Sequence, residues 1–358
     1  MTSKYEQARA IVAACTTKDG VMASSDRYQG QFWTRDTVLA ATQALGYNHP
    51  AIHAQLDHVI KRQKRNGKMP ILYVTDTAAF VARKTLQMHA KGGKVPFMLR
   101  RYRESGEAGL ANLTPSTRDT EILFIIAATE DSRSASAEHR ARITAAVYKA
   151  RDYVLGMTKT SGGFITGADW RDVRDDLDTK CVLTNACLLH RALENINDCN
   201  FNVDVHEQKI SKAFWREDLG FFDDYRGANS FDILGNALAI LYGIATEAQA
   251  MRIIAHVLTL EAACGFKLAD TFLPPRSEEE RLAMAWDKAV VWPWISSYML
   301  LAINKYDNAL ARELLAKWDK KSEGFYEWYS IREGKGYGST NQLWSAALYM
   351  KSVDEILK

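Results

Sequence analysis

The sequence has little of what marks metal-binding and disulfide-bonded proteins. Its five cysteines are odd in number and include no Cys-x-x-Cys pair, and its eight histidines form neither an HExxH motif nor a cluster with cysteine. These absences argue against a zinc site and against a disulfide framework. We therefore expect free thiols, no metal ion and a reducing, cytoplasmic compartment.

A strong charge of one sign and long hydrophobic runs are missing as well. The 46 lysines and arginines nearly balance the 43 aspartates and glutamates, for a formal net charge of +3. This balance gives no electrostatic reason to expect a nucleic-acid partner. No stretch approaches 18 uncharged apolar residues, so we expect no membrane partner. The first residues have the pattern of an amphipathic helix, and we expect no signal peptide.

Proline is scarce, with 7 residues in 358, and this leaves room for many helices. Apolar residues recur with helical spacing in twelve segments. Strand-like alternation is rare, and its best example is Ile71–Thr75. The twelve predicted helices are Tyr5–Cys15, Thr37–Leu45, Ile52–Val59, Glu121–Ala128, Ile143–Leu155, Val182–Ile196, Val205–Phe214, Ile233–Ile244, Glu247–Leu260, Val291–Ile303, Asn308–Trp318 and Leu343–Met350.

Six of these helices are apolar nearly all the way round, and each follows a loop rich in acids, amides and aromatics. Residues that mark the six loops lie 49 to 83 positions apart, which suits a helical hairpin with two loops. A helix that is apolar on every side is buried, whereas the intervening helices carry a charged face. The pattern predicts an all-α protein, a single (α/α)6 toroid over residues 1–358. The marker residues are Asp36, Asp119, Asn185, Asn236, Pro293 and Gln342.

In such a toroid the six polar loops meet at the end where the inner helices begin. Unpaired N–H groups at helix N-termini favour carboxylates and hydroxyls, and aromatic faces can stack on sugars. A rim of this composition predicts a carbohydrate substrate. Asp232 and Asn236 lie one helical turn apart and are typical of structural caps rather than of ligands.

Two segments place a carboxylate beside aromatic side chains, where burial raises the pKa of an acid. Asp169 and Asp172 flank Trp170 and Arg171. That setting suits a general acid, and it equally suits a helix cap with an Asp–Arg ion pair. Glu327 stands among four aromatic residues, which suits a base that holds a water molecule. The alternative is a partly exposed glutamate on an aromatic turn.

The other polar and aromatic residues of the loops are candidates for binding the substrate. Arg35 and Asp36 follow Trp33, and they could bind hydroxyl groups or form a structural salt bridge. Trp292 and Trp294 could stack on a sugar or belong to the core. The candidate binding residues are Trp33, Arg35, Asp36, Asp119, Trp170, Arg171, Asn185, Trp292, Trp294, Gln342 and Trp344.

Several motifs, spread in order over nearly the whole chain, resemble segments of the (α/α)6-barrel glycoside hydrolases. That superfamily includes neutral and alkaline invertases, processing α-glucosidases, trehalases and debranching-type glucosidases. The string Tyr-Gln-Gly-Gln-Phe-Trp-Thr-Arg-Asp at 28–36 resembles their Trp-Arg-Asp segment, and residues 63–70 resemble a Gln-x-x-x-Gly-x-Ile-Pro loop. Gly-Ala-Asp-Trp-Arg-Asp at 167–172 resembles the general-acid segment. Val-Trp-Pro at 291–293 and residues 325–347 resemble the remaining two motifs.

The resemblance implies inverting hydrolysis of a short α-glycoside, an α-glucoside or a sucrose-like sugar, from its non-reducing end and without a cofactor. It implies Asp169 as the general acid and Glu327 as the general base. Counting back from Asn185, as in the invertase-like members, gives Asp172 as the acid instead. Both assignments of the acid stay open on the sequence.

The sequence leaves three other functions open. A sugar epimerase or isomerase on this barrel uses histidines as acid and base, and only His49 and His190 come near the polar loops. A glycoside phosphorylase would have an anion pocket in place of the base. A carbohydrate-binding protein without activity would need neither acid nor base. The choice between a monomer and a homo-oligomer is open too.

Overall fold

The computed structural model describes residues 3–75, 117–132, 137–171, 174–197, 202–268 and 290–358, with a few single positions between 76 and 86. All twelve predicted helices are found in these ranges, and none of the described helices is long and apolar enough to cross a membrane. In chain order they are α1 (Lys4–Cys15), α2 (Thr34–Asp36, π-helical Thr37–Ala41 and Thr42–Leu45, continuous), α3 (Pro50–Lys61), α4 (Thr120–Ser132), α5 (Ala137–Thr158), α6 (Leu183–Ile196), α7 (Val203–Phe214), α8 (Ile233–Leu241), α9 (Glu247–Leu258), α10 (Pro293–Asn304), α11 (Asn308–Asp319) and α12 (Leu343–Ile356).

Short antiparallel strands join the helices. The predicted strand at Ile71–Thr75 is confirmed as Leu72–Val74, which pairs with Gln31–Trp33. Hairpins of two-residue strands follow α1, α7 and α9, and the sequence did not predict them because two residues show no periodicity. The strands are β1 (Thr16–Thr17), β2 (Gly20–Val21), β3 (Gln31–Trp33), β4 (Leu72–Val74), β5 (Trp215–Arg216), β6 (Phe221–Phe222), β7 (Glu261–Ala262), β8 (Gly265–Phe266), β9 (Val290–Val291), β10 (Trp328–Ser330) and β11 (Lys335–Tyr337).

The even-numbered helices form a closed inner ring in the order α2, α4, α6, α8, α10, α12, and α12 packs against α2 to close it. The odd-numbered helices lie outside, with α5 on α4, α7 on α6, α9 on α8 and α11 on both α10 and α12. The first helix of the chain, α1, packs on the last, α12. This arrangement is the (α/α)6 toroid that the sequence predicted.

Burial follows the predicted division into inner and outer helices. Every residue of α8 from Ile233 to Ile240 is buried, as an inner helix requires. The outer helix α9 buries one stripe, Ala250, Ile253, Ile254 and Val257, and exposes its other side. That spacing of three, four and seven residues is the one that puts apolar groups on a single helical face.

A hydrogen bond crosses the inside of the ring. The Tyr298 hydroxyl on α10 donates to the Leu39 carbonyl on α2, at 2.6 Å, and these two helices are not neighbours in the ring. Leu39 lies in the π-helical turn of α2. Burial raises the pKa of Tyr298 well above its usual value, so the hydroxyl stays protonated and keeps donating. The barrel interior is therefore filled at this depth.

Asn236 confirms the prediction of a structural role. Its side chain is fully buried, accepts from the Phe222 N–H at 3.0 Å and donates to the carbonyls of Phe222 and Asp232 at 2.9 Å. Asp232 is the N-cap of α8 and accepts from the Gly235 N–H at 2.6 Å. Together they fasten the β6 hairpin to the start of α8.

We expect Asn236→Ala to lower the free energy of unfolding by about 3 kcal/mol, because it leaves the buried N–H and carbonyl of Phe222 unpaired. Urea unfolding followed by circular dichroism measures the change. The matched control is Asn308→Ala on the exposed start of α11, for which we expect about 0.5 kcal/mol. Equal effects of the two variants would contradict a structural role for the Asn236 contacts.

Glu121 is a buried acid in the first turn of α4. Its Oε1 accepts from the Met69 N–H at 3.0 Å, and 3% of the residue is exposed. Burial raises the pKa of Glu121 to about 7, and the hydrogen bond from Met69 and the charge of Lys68 only partly offset this. In an unfolded chain a glutamate has a pKa of about 4.3. At a pH between these two pKa values, Glu121 is protonated in the folded protein and ionised in the unfolded chain.

Glu121 therefore makes the protein less stable as the pH rises from about 4 to about 7, and its full cost is present above that window. Glu121→Gln keeps an acceptor for Met69 and removes the charge. The free energy of unfolding of the variant, relative to that of the wild type, should increase by about 2 kcal/mol as the pH is raised from 5 to 8. Chemical unfolding at both pH values tests this, with Glu313→Gln on the exposed face of α11 as the control.

Candidate active site

Six loops precede the six inner helices and meet at one end of the barrel. We name them by their described residues: loop A (22–33), loop B (117–119), loop C (163–171 and 174–182), loop D (223–232), loop E (290–292) and loop F (323–342). The Arg118 N–H donates to the Ala168 carbonyl at 2.8 Å, which joins loops B and C. The Leu183 N–H donates to the Asp224 carbonyl at 2.8 Å, which joins C and D.

Loops A, E and F complete the circle. Tyr329 pairs with Val291 in the three-stranded sheet of loops E and F. The Leu343 N–H, at the start of α12, donates to the Ala23 carbonyl of loop A at 3.0 Å. Hydrogen bonds thus join loop B to loop C, loop C to loop D, loop E to loop F, and loop A to the start of α12, so these polar loops lie at one end of the barrel, as predicted.

Glu327 lies in loop F with 9% of its surface exposed. The Tyr28 hydroxyl of loop A donates to Oε1 at 3.0 Å, and the Ser339 N–H donates to Oε2 at 3.2 Å. The Arg27 guanidinium lies 3.9 Å from Oε2. The carboxylate is therefore held by donors from two loops that lie near opposite ends of the chain.

Asp169, the first of the two acid candidates, is tied to Arg171. Its Oδ1 accepts from the Arg171 N–H and Nε at 3.0 and 2.9 Å, and its Oδ2 accepts from Nη2 at 2.9 Å. None of its surface is exposed. The other side of the guanidinium donates to Asp224 at 2.9 and 2.7 Å. Arg171 therefore joins loop C to loop D through two carboxylates.

A third carboxylate, Asp232, lies 3.9 Å from the Arg171 guanidinium. Burial, with contributions from Asp224 and Asp169, raises the pKa of Asp232 to about 7 in spite of Arg171. The Thr184 hydroxyl donates to its Oδ2 at 3.1 Å. Asp172, the second acid candidate, lies outside the described residues.

Arg35 and Asp119 form a buried ion pair between α2 and loop B. The Arg35 Nε–Asp119 Oδ2 distance is 2.6 Å, the Nη2–Oδ1 distance is 3.2 Å, and both side chains are almost completely buried. This bidentate geometry supports the structural alternative for Arg35. Asp36 is also buried.

Four predicted tryptophans come together as a cluster: Trp170 of loop C, Trp292 of loop E, and Trp294 and Trp344 in the first turns of α10 and α12. Trp170 meets Trp292 and Trp294 edge to face, with ring centroids 5.1 and 5.2 Å apart. Trp294 stacks on Trp344 at 5.1 Å with 20° between the planes. Trp294 also contacts Tyr298, one turn further along α10. The cluster thus lies just above the point where the interior is filled.

Four predicted residues at the mouth carry polar atoms that are buried and make no hydrogen bond within the described part of the chain. They are the Oε1 of Gln342, at the N-cap of α12, the Nε1 atoms of Trp344 and Trp294, and the Oδ1 of Asn185. Asn185 donates to the carbonyls of Gly167 and Ala168 at 3.1 and 3.3 Å and so fastens loop C. Trp33 is half-buried on β3 and donates to the Gln31 Oε1 at 3.3 Å.

Three contacts were missed by the sequence analysis. Asp224 was not singled out, although it stands in a polar loop that runs into an apolar helix. Tyr28 was part of the quoted loop but had no role. Asp26, which bonds loop F, lies just before that quoted string. No local pattern indicates these residues because each partner lies 53 or more positions away.

Comparison with known proteins shows the fold. No family model matches the chain, and no curated protein matches it. A solved structure titled a wild-type glycosidase is similar with a TM-score of 0.64 at 15% identity, covering 99% of this chain and 96% of the other. A GH63 mannosylglycerate hydrolase from Thermus thermophilus is similar with a TM-score of 0.62 at 14% identity, covering 98% and 99%. The chain therefore has the (α/α)6-barrel fold of glycosidases to which the sequence motifs pointed.

Proposed function

We propose that this protein is a glycoside hydrolase. The observation that carries the proposal is the arrangement of the mouth. Loop C, which contains Asp169, precedes α6, and loop F, with Glu327, precedes α12; α6 and α12 stand opposite each other in the ring. The tryptophan cluster, with side chains from loops C and E and from α12, lies between them. Carboxylates on loops that precede opposite inner helices, with an aromatic cluster between those loops, suit a sugar whose glycosidic bond is cleaved.

Glu327 takes the role of general base in this proposal. It removes a proton from water as the water oxygen attacks the anomeric carbon, and the carbon–oxygen bond to the leaving group breaks on the opposite face. The general acid gives its proton to the departing oxygen. Attack from the opposite face inverts the anomeric centre, and inverting pairs stand about 6.5–9.5 Å apart to leave room for the water.

Of the two acid candidates, we favour Asp172. A general acid must carry a proton and reach the substrate oxygen. Asp169 is fully buried and both of its oxygens accept hydrogen bonds from Arg171, so its carboxylate is engaged within the protein. Asp172 is the acid that the count back from Asn185 gives. In this assignment Asp169 has a structural role, and the direct role for Asp169 stays the alternative.

The sugar is proposed to bind at the tryptophan cluster. Its apolar side would pack on the exposed parts of Trp344 and Trp292, which keep 8% and 4% of their surface, whereas Trp294 and Trp170 are buried in the core at 0% and 2%. The buried Gln342 Oε1 and Trp344 Nε1 supply an acceptor and a donor for hydroxyl groups. Asp36 would accept a further hydroxyl. The Tyr298–Leu39 bond fills the barrel beneath, so a chain end fits this site better than the middle of a polysaccharide. This supports exo action on short α-glycosides.

The epimerase alternative needs histidines at the mouth. His49 caps α3 at the opposite end of the barrel. His190 is buried on α6 and stacks on His206 of α7, with ring centroids 5.6 Å apart. Burial lowers the pKa of His206 to about 4, so this pair is poorly suited to carry protons at neutral pH. These positions favour the hydrolase.

The substrate and the stereochemistry are tested together by NMR of the first anomer released from a panel of α-glucosides, sucrose, trehalose and α-mannosides, mannosylglycerate included. We expect one of these to give the inverted sugar. Glu327→Gln should lower kcat by about 10³-fold, because it removes the base. Glu313→Gln, on the outer face of α11, is the control with unchanged kcat. Binding without turnover by the wild type would favour a carbohydrate-binding protein, and a need for phosphate would favour a phosphorylase.

The acid is identified by comparing Asp172→Asn with Asp169→Asn. We expect Asp172→Asn to lose about 10³-fold in kcat with its unfolding free energy unchanged. Asp169→Asn should instead lose about 3 kcal/mol of unfolding free energy, because a buried ion pair is broken. A glycosyl fluoride has a leaving group that departs without receiving a proton. It should therefore restore most of the rate to the variant that lacks the acid. Rescue of Asp169→Asn and not of Asp172→Asn would reverse the assignment.

A further inference from the structure

Two loops from opposite ends of the chain enclose Glu327. The Tyr28 hydroxyl donates to Oε1 at 3.0 Å and lies 3.4 Å from Oε2. On the other side, the Ser339 N–H donates to Oε2, and Gly338 leaves no space behind the carboxylate. A Cβ on Gly338 would collide with Oε2, and the φ angle of +79° there favours glycine. The carboxylate is therefore confined by packing as well as by hydrogen bonds.

Asp26 clamps the same two loops together next to this site. Its Oδ1 accepts from the Ser339 hydroxyl at 2.5 Å, and its Oδ2 accepts from the N–H and hydroxyl of Thr340 at 2.9 and 2.8 Å. Partial burial raises the pKa of Asp26, but these hydrogen bonds outweigh it and lower the pKa overall. Asp26 thus stays ionised at any pH at which the protein would work, and its bonds to loop F persist.

We propose that Tyr28 is a positioning residue for Glu327 and that Asp26 is the clamp that holds Tyr28 against it. The inference rests on the proposed function, since it gives Glu327 the role of base. The Tyr28 phenol fixes the orientation of the carboxylate and favours its ionised form, which is the form that accepts a proton from water. Asp26 acts through Tyr28 by holding loop A on loop F.

The chemistry of a phenol suits this task. Burial and the charge of Glu327 raise the pKa of Tyr28 well above its usual value, so the hydroxyl remains a donor. A hydrogen bond to a carboxylate is about twice as strong as one between neutral groups. A carboxylate has about four lone-pair positions, and Tyr28 and Ser339 each donate to one of those on Glu327.

The other charged groups around the pair act in different directions. Arg27 of loop A lies 3.9 Å from Glu327 Oε2 and favours the ionised form, but its side chain is more than half exposed and solvent screens it. Asp36 of α2 raises the pKa of Tyr28 and so helps to keep the phenol protonated. Tyr28, the neutral donor 3.0 Å from Oε1, is therefore the group whose removal should change the pKa of Glu327 most.

The test compares Tyr28→Phe with Tyr5→Phe. Both remove a phenol that donates to a carboxylate, but Tyr5 donates to Asp354, between α1 and α12 on the outer wall, at 3.1 Å. We expect Tyr28→Phe to move the acidic limb of the kcat/KM profile upward by about one pH unit. The rate should fall more at pH 5 than at pH 8, by at most about tenfold, with KM little changed. Tyr5→Phe should leave the profile unchanged, and Asp26→Ala should shift it in the same direction by less.

A second measurement does not depend on turnover. The Glu327 carboxyl is titrated by ¹³C NMR in protein labelled at the glutamate side-chain carboxyl, with its signal assigned by the Glu327→Gln variant. We expect the midpoint in Tyr28→Phe to lie about one pH unit above that of the wild type. An unchanged midpoint would overturn the inference. If the midpoint moves but no glycoside is hydrolysed, Tyr28 still controls Glu327 and the proposed function is what fails.

Discussion

The complete burial of the inner helices is the constraint on which this structure depends. Each inner helix is covered by two ring neighbours, by outer helices and by the filled interior, so its middle must be apolar, as in Ile233 to Ile240. Polar groups then gather at the ends, where a helix leaves N–H groups unpaired, and a polar group in the middle, such as the Tyr298 hydroxyl, is hydrogen-bonded. The chain meets this need with side chains such as Asp232, which caps α8. The same requirement collects acids, amides and tryptophans at one mouth, and a site for a polar substrate arises from the rules of packing.

Burial of charge at that mouth is possible only with close pairing. Arg171 is almost fully buried and forms bidentate contacts with Asp169 and Asp224, while Asp232 is partly neutralised by its raised pKa. Such a cluster adds little net stability, because the desolvation of each charge offsets the attraction. The cluster instead fixes geometry, since a planar guanidinium can bind two carboxylates in few other orientations. Loops C and D are held to each other by the bidentate contacts that Arg171 makes with Asp169 and Asp224.

Local patterns in the sequence predicted most of the fold and part of the site. All twelve helices, the β4 strand and the inner or outer place of each helix follow from spacing and charge. The π-helical turn at Thr37–Ala41 did not, because no residue type marks it. At the site, Glu327 and the tryptophans were indicated by their own neighbours in the chain. The partners of Arg171 and Glu327 were not, since Asp224 meets Arg171 across 53 positions and Tyr28 meets Glu327 across 299, and only the closed ring brings them together.

The closure of the ring also explains where the proposed base lies. The seam joins the first and last parts of the chain: α1 packs on α12, and the Leu343 N–H reaches the Ala23 carbonyl. Glu327 sits at this seam and takes donors from both sides of it. Local opening costs the least free energy where few buried contacts are lost. Loop A is such a segment, because it is partly exposed from residue 25 to residue 30. A base at the seam is therefore formed only when the two ends of the chain have met, so the chemistry of the site depends on completion of the barrel.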